Sequence, residues 1–158
     1  MTHYHSLMDA EAKRERYARI LAQLEELFQQ TTDATARMAT AAALLHATLP
    51  GFLWTGWYLL RAGRLTVGPY QGPLACPVLP AHKGVCWAGI DGKETIVVPD
   101  VHQFPGHIAC DARSRSEIVV PLRNPAGKVI GVLDVDSSRP GHFDDVDRAG
   151  LEAVVAMI

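Results

Sequence analysis

No apolar run in this sequence approaches the roughly 18 or more residues of a membrane-spanning helix, so no membrane partner is expected. Charge of one sign is also missing. Lys and Arg number 15 and Asp and Glu 17, giving a formal charge of −2, so there is no overall pull toward nucleic acid or an anionic surface. The first twenty residues contain no apolar signal core and no cleavage site, which argues against secretion and for a cytoplasmic location. Cysteine is scarce: there are 3, all between positions 76 and 110. An odd count argues against a purely structural disulfide set. No C-x-x-C pair occurs, so metal-finger spacing is absent and no metal or other cofactor is expected. The run GPYQGP lacks the lysine and hydroxyl residue of a phosphate cradle. No internal repeat or low-complexity tract is present.

What is there fits one domain with a real core, since 48% of the 158 residues are hydrophobic and 20% are charged. Apolar residues at Tyr17, Ile20, Leu21, Leu24, Leu27 and Phe28 recur at helical spacing and predict a helix over residues 8–30. A second helix is expected from Asp33, a good N-cap, to just before Pro50, with Met38, Ala41, Ala42 and Leu45 inward. Residues 52–60 predict a strand, 61–64 a turn and 65–67 a short returning strand. Pro and Gly then make residues 68–90 irregular, with room for a short helix from Val85. A short strand at 95–98 and a loop at 99–114 follow. Strands at 116–122 and 128–136 flank a turn, and a closing helix opens at Asp144. Helices, then antiparallel strands with long loops, then a helix predict an α+β sandwich with helices on one sheet face. Residues 1–32 are assigned to an N-terminal helix packing on the domain or on a dimer partner, and residues 33–158 to the domain itself.

Two groups of residues suggest chemistry. Cys76, Cys86 and Cys110 all fall in Gly/Pro-rich connecting segments, where a thiol can move and meet a substrate. Alternatives are three inert core thiols, or a zinc site with His82, His102 or His107. His107 and Arg113 flank Cys110 and favour a thiolate, whereas Asp111 opposes one. The second group is acidic. Asp134 and Asp136 are two apart on the last strand and share one face, in line with Ile130 and Val132. A hairpin places Glu117 at about the same height, which predicts a three-carboxylate cluster; the alternative is a solvated strand end. Trp54 and Tyr58, four apart on one strand face, can wall a small apolar pocket. Trp57 and Trp87 are expected in the core, and His3 and His5 are given no role.

The words WTGWYL at 54–59, GPYQGPLAC at 68–76, KGVC at 83–86, DVHQFPGHIACD at 100–111, SRSEIVVPL at 114–122 and GVLDVDS at 131–137 follow one another in this order. Together they resemble the free methionine-(R)-sulfoxide reductases, which are built on a GAF domain. Two positions depart from the pattern: Trp57 stands where Phe is common, and Trp87 follows Cys86 where glycine is usual.

The resemblance implies a GAF-like central antiparallel sheet flanked by helices and an enclosed pocket for one free amino acid. It implies reduction of free methionine-(R)-sulfoxide to methionine, a repair of oxidative damage, with a thioredoxin-like dithiol as reductant and a homodimer as a possible assembly. Cys110 matches the sulfoxide-attacking thiol, with Cys86 as its rival, and Cys76 and Cys86 match the partner thiols. Glu117, Asp134 and Asp136 match the pocket carboxylates, Glu117 as proton donor. Trp54 and Tyr58 match the aromatic wall. The competing expectations are a non-catalytic ligand-binding module and a cysteine-based redox sensor.

Overall fold

A computed structural model describes residues 8–158, so His3 and His5 lie outside the described residues. α1 (Ala10–Leu27) begins at Asp9, whose carboxylate accepts from the Ala12 N–H. α2 (Ala34–Thr48) begins at Asp33, whose carboxylate accepts from the Ala36 N–H. Tyr17, Ile20, Leu24 and Phe28 are buried, while Leu27, off the axis of that stripe, is 42% exposed. α1 lies against the closing helix α4 (Asp145–Val155). The buried contact there is polar: Asp147 accepts from Lys13 Nζ at 2.6 Å and from the Tyr17 hydroxyl at 2.8 Å.

The sheet has six strands, β1 (Trp54–Arg61), β2 (Arg64–Gln71), β3 (Val78–Leu79), β4 (Ile96–Val98), β5 (Ser116–Arg123) and β6 (Val129–Ser137). Their order is β3-β2-β1-β6-β5-β4, with every neighbouring pair antiparallel. This is the expected α+β class. Alternation sorts the side chains cleanly. Trp57, Leu59, Ile118, Val120, Leu133 and Val135 face α1, α2 and α4. Fully buried Trp57 satisfies its indole N–H on the Met38 carbonyl at 2.9 Å. Trp54, Tyr58, Val98, Val119 and Val132 face the other way, with Cys86, Trp87 and Ile90 packed on them.

That second layer departs from the sequence expectation of helices on one face. α3 (Gly84–Gly92) covers the opposite face, and Cys86 lies within it rather than on a mobile connection. The close approach depends on Gly89, where an added Cβ would stand 2.7 Å from Val119 Cγ1. The returning strand β2 is also longer than expected. It continues past Val67 because it gains a residue opposite β1 between Gly56 and Tyr58, a bulge that absorbs Gly68 and Pro69. A second irregularity corrects the alignment of Ile130. Leu122 pairs with Gly131 but Arg123 pairs with Val129, so Ile130 is an extra residue and turns to the α1/α2/α4 side. Val132, Asp134 and Asp136 keep the other face.

Candidate active site

The carboxylate cluster follows directly from the strand register. Glu117 on β5 pairs with Asp136 on β6, Val119 pairs with Asp134, and Trp54 on β1 pairs with Asp136. All three acids therefore project from one sheet face beside Trp54 and Tyr58. They are not a solvated strand end: Glu117 and Asp134 are each 5% exposed, and Asp136 is half-buried. Ser114 donates to Asp136 Oδ1 at 2.9 Å.

Burial shifts all three upward from the ordinary carboxylate range, and the shifts have distinct causes. Glu117 is held well above it, first by burial, then by the neighbouring Asp134 and Asp136 charges, and by donating a hydrogen bond to Asp134. Asp136 is raised well above it by burial and by the Asp134 charge, with Ser114 opposing. Asp134 is raised by burial, but hydrogen bonds from Glu117 and from the Cys86 thiol oppose the rise. The hydrogen bonds to Asp134 thus favour its charged form, while burial and the neighbouring acids favour the protonated form of Glu117. Asp134 Oδ1 is buried with no hydrogen-bond partner among the described residues.

The thiols divide into two kinds. Cys76, half-buried in the loop after β2, and Cys110, exposed in the loop before β5, are joined by a disulfide with their Cα atoms 5.6 Å apart. Cys86 is free and buried in α3. Burial and the three nearby carboxylates push its thiol well above the ordinary range, so it is a protonated donor to Asp134. The flanking groups of Cys110 supply no free positive charge. Arg113 is spent on Asp111, with Nη2 to Oδ2 at 2.8 Å, which pulls that carboxyl down to about 2. His107 is lowered by burial and by His102.

Two loops fix these thiols over the sheet. Tyr58 donates its hydroxyl to the Cys76 carbonyl at 2.9 Å, tying the aromatic wall to the first loop. Ile108 lies over Gly84, which has a φ of +83° and would place a Cβ 3.1 Å from Ile108 Cγ1. Any other residue there would be strained and crowded, and the second loop would lift. Trp54 stacks between Tyr58 at 5.7 Å and Tyr70 at 5.2 Å.

Together these residues line one cavity of about 60 Å³. A single water needs about 10–15 Å³ on the same measure, so the space suits one small guest rather than a nucleotide-sized one. Trp54, Tyr58, Cys76's neighbour Ala75, Cys86, Cys110, Glu117, Asp134 and Asp136 border it. Cys76 is bonded to Cys110, which borders it. Sequence reasoning also did not place at the cavity several of the other residues that border it, His107, Ser114 and Lys83 among them. His107 Nε2 lies 3.8 Å from Glu117 Oε1, Ser114 holds Asp136, and Lys83 stands at the N-terminus of α3. Only the SRSEI word gave a signal for Ser114, and the position of His107 three before Cys110 gave one for the histidine. Cys86, Glu117 and Asp134 bring one potential ligand atom each within 4.8 Å of one another.

Known proteins share this fold. The GAF domain family model matches residues 23–158. The free methionine-R-sulfoxide reductase of Escherichia coli (strain K12) is 42% identical over 146 residues, 92% of this chain and 88% of that protein. The X-ray structure of free methionine-R-sulfoxide reductase from Neisseria meningitidis in complex with its substrate superposes with a TM-score of 0.86 at 38% identity, covering 99% of this chain and 92% of that one. The reduced form of the Staphylococcus aureus enzyme gives 0.85 at 44% identity, covering 90% and 92%.

Proposed function

This chain belongs to the GAF-domain family of free methionine-(R)-sulfoxide reductases, and on that premise we propose that it reduces free methionine-(R)-sulfoxide through a cycle carried by Cys110, Cys76 and Glu117. It is an oxidoreductase; the cycle, the residue roles and the reductant are the proposal. The observation that carries it is the shared cavity, which sets a disulfide-forming thiol and a protonated carboxyl against one small enclosed space.

In the reduced enzyme the Cys110 sulfur attacks the sulfoxide sulfur. The sulfoxide oxygen is a poor leaving group until protonated, and Glu117 holds the proton that burial and the Asp134 charge keep in place. The protonated oxygen passes to the Cys110 sulfur as a new S–O bond. The S–O bond to methionine and the transient sulfur–sulfur bond both break, methionine leaves with the electron pair, and Cys110 is left as a sulfenic acid. The Cys76 thiol then attacks that sulfur. A disulfide forms and water leaves. Their 5.6 Å Cα separation lies within the reach such a bond requires, about 4.4–6.8 Å. A thioredoxin-like dithiol reduces the disulfide by exchange, and the exposure of Cys110 gives it access. The net change is two electrons and two protons into one sulfoxide, yielding methionine and water.

Specificity for the free amino acid follows from charge. Asp134, with its partnerless oxygen, and Asp136 suit a substrate ammonium, which a peptide-bound residue lacks. Trp54 and Tyr58 suit the thioether methyl end. The Cys86 thiol, fixed in a helix and protonated, serves as a hydrogen-bond donor to Asp134 rather than as the attacking group.

The test is a turnover assay with free R and S diastereomers and a terminally blocked peptide sulfoxide, recycled by a dithiol. Methionine is expected from the free R form alone. Absence of methionine from both free diastereomers overturns the proposal, and equal turnover of the peptide overturns the ammonium assignment.

A further inference from the structure

We propose that the floor of this cavity is also a binding site for a soft divalent metal ion of the zinc class, held by Cys86, Glu117, Asp134 and His107, in competition with the amino-acid guest. Three of the donor atoms already lie within 4.8 Å of one another. The fourth, His107 Nε2, is 3.8 Å from Glu117 Oε1. Tetrahedral zinc holds its N, O and S donors at about 2.0–2.3 Å, which sets donor–donor edges of about 3.3–3.8 Å. The histidine–glutamate edge already has that length. The three edges among Cys86, Glu117 and Asp134 need to close by no more than about 1.5 Å, and the His107 ring must swing toward Cys86 and Asp134 to complete the set. One sulfur, one imidazole nitrogen and two carboxylate oxygens form a donor set of the borderline softness that zinc and cobalt share.

A second, independent observation points to a cation. Asp134 is 5% exposed, yet its Oδ1 has no hydrogen-bond partner among the described residues. An unpaired buried carboxylate oxygen is costly, and a bound cation supplies the missing partner. The positions 86, 107, 117 and 134 are far apart in sequence, so linear spacing gave no sign of them as a set. Three of the four stand on regular elements, α3, β5 and β6, which fixes their separation.

The protons balance simply. One metal ion enters, and the Cys86 thiol and the Glu117 carboxyl each release one proton to solvent; Asp134 enters already charged, and His107 binds as neutral imidazole. No redox partner is needed. The consequence is inhibition: a bound ion removes the Glu117 proton and occupies Asp134. The ion is an antagonist of turnover, not a cofactor for it.

The disulfide makes the site testable apart from the proposed activity. In the oxidised protein Cys76 and Cys110 are bonded, so Cys86 is the sole thiol. Anaerobic titration of that form with Co2+ is expected to give a near-ultraviolet thiolate-to-cobalt charge-transfer band saturating at one ion per chain. Visible bands of four-coordinate intensity should accompany it, and Zn2+ should displace the ion. Cys86→Ser, checked for fold by circular dichroism, should abolish the charge-transfer band, and His107→Ala should weaken binding at least tenfold. Saturating free methionine should raise the apparent cobalt dissociation constant of unaltered protein, a measurement that needs no variant to fold. A missing charge-transfer band in unaltered protein overturns the site. Binding unchanged by His107→Ala overturns the fourth ligand, and binding indifferent to methionine overturns the competition. Turnover in chelator-treated enzyme is measured separately, so failure here leaves the catalytic proposal distinguishable.

Discussion

Glu117→Gln separates what this side chain does chemically from what it does structurally. Glu117 is 5% exposed, pairs across the sheet with Asp136 and donates its carboxyl proton to Asp134. Glutamine has the same shape and retains an N–H to donate to Asp134, so the hydrogen bond survives. The variant loses only a transferable proton. Losing a positioned general acid slows the chemical step by about 10²–10⁴-fold, or about 2.7–5.4 kcal/mol. Stability should move the other way. The folded-state pKa of Glu117 is raised, so between the ordinary carboxylate value and that raised pKa the folded chain binds more protons than the unfolded one. The resulting cost is absent below the ordinary value, grows as pH rises and is complete above the raised pKa. Glutamine removes it, so the variant should be at least as stable as the parent at pH 8, with a smaller difference at pH 5. Single-turnover methionine release and urea denaturation at the two pH values measure both effects. An unchanged kcat with a raised KM would show that Glu117 only binds the guest. A variant that loses stability relative to the parent as pH rises would show that the folded carboxyl is ionised and stabilising.

Cys76→Ser should release about one methionine per chain and then stall, because buried Cys86 has no comparable reach to Cys110; sustained dithiol-driven turnover, counted chromatographically, would remove Cys76 from the resolving role. Gly89→Ala places a methyl 2.7 Å from Val119 Cγ1. The helix-propensity gain of about 1 kcal/mol then opposes an overpacking cost of about 1–3 kcal/mol. A net loss of up to about 2 kcal/mol in chemical denaturation is expected, with faster alkylation of Cys86 in the oxidised protein; unchanged values on both counts would show that α3 does not depend on this contact. Lys13→Met leaves Asp147, 1% exposed, without its ammonium partner. Breaking a buried pair costs about 3–5 kcal/mol, and the retained Tyr17 hydroxyl puts the expected loss in urea denaturation at the lower end; a loss below about 1 kcal/mol would mark the network as dispensable.

How much of this was legible in the sequence depended on range. Alternation along one strand is a local property, so the shared face of Asp134 and Asp136 followed from their spacing alone. Glu117 required the register of β5 on β6, which the turn at 124–128 sets, and there the bulge at Ile130 intervened. A bulge is a backbone count, not a composition, and its one visible mark is Gly131 beside it. The apolar stripes of α1 and α2 were plain, but the buried pairing of Lys13 with Asp147 spans 134 positions and leaves no trace in either local pattern.

Cys86 shows why the remaining site information was hidden. The Pro and Gly density from 68 to 84 reads as loop, and two turns of helix are too short to overrule it. Yet Cys86, Gly89 and Ile90 stand at i, i+3 and i+4, the spacing of a buried helical face. Gly89 weakens the helix on propensity, and the fold uses that same absent side chain to lay α3 close on Val119. The three thiols that the sequence presents as equals are therefore divided by their supports. Cys76 and Cys110 sit on irregular backbone that can bring them together, part them and present them to a reductant. Cys86 sits on a helix pinned to the sheet, where it can donate a hydrogen bond to Asp134 or bind a metal ion but is poorly placed to exchange partners. Oxidation that consumed Cys86 before Cys110, followed by peptide mapping of the first sulfenic acid formed with substrate, would break this division at its root.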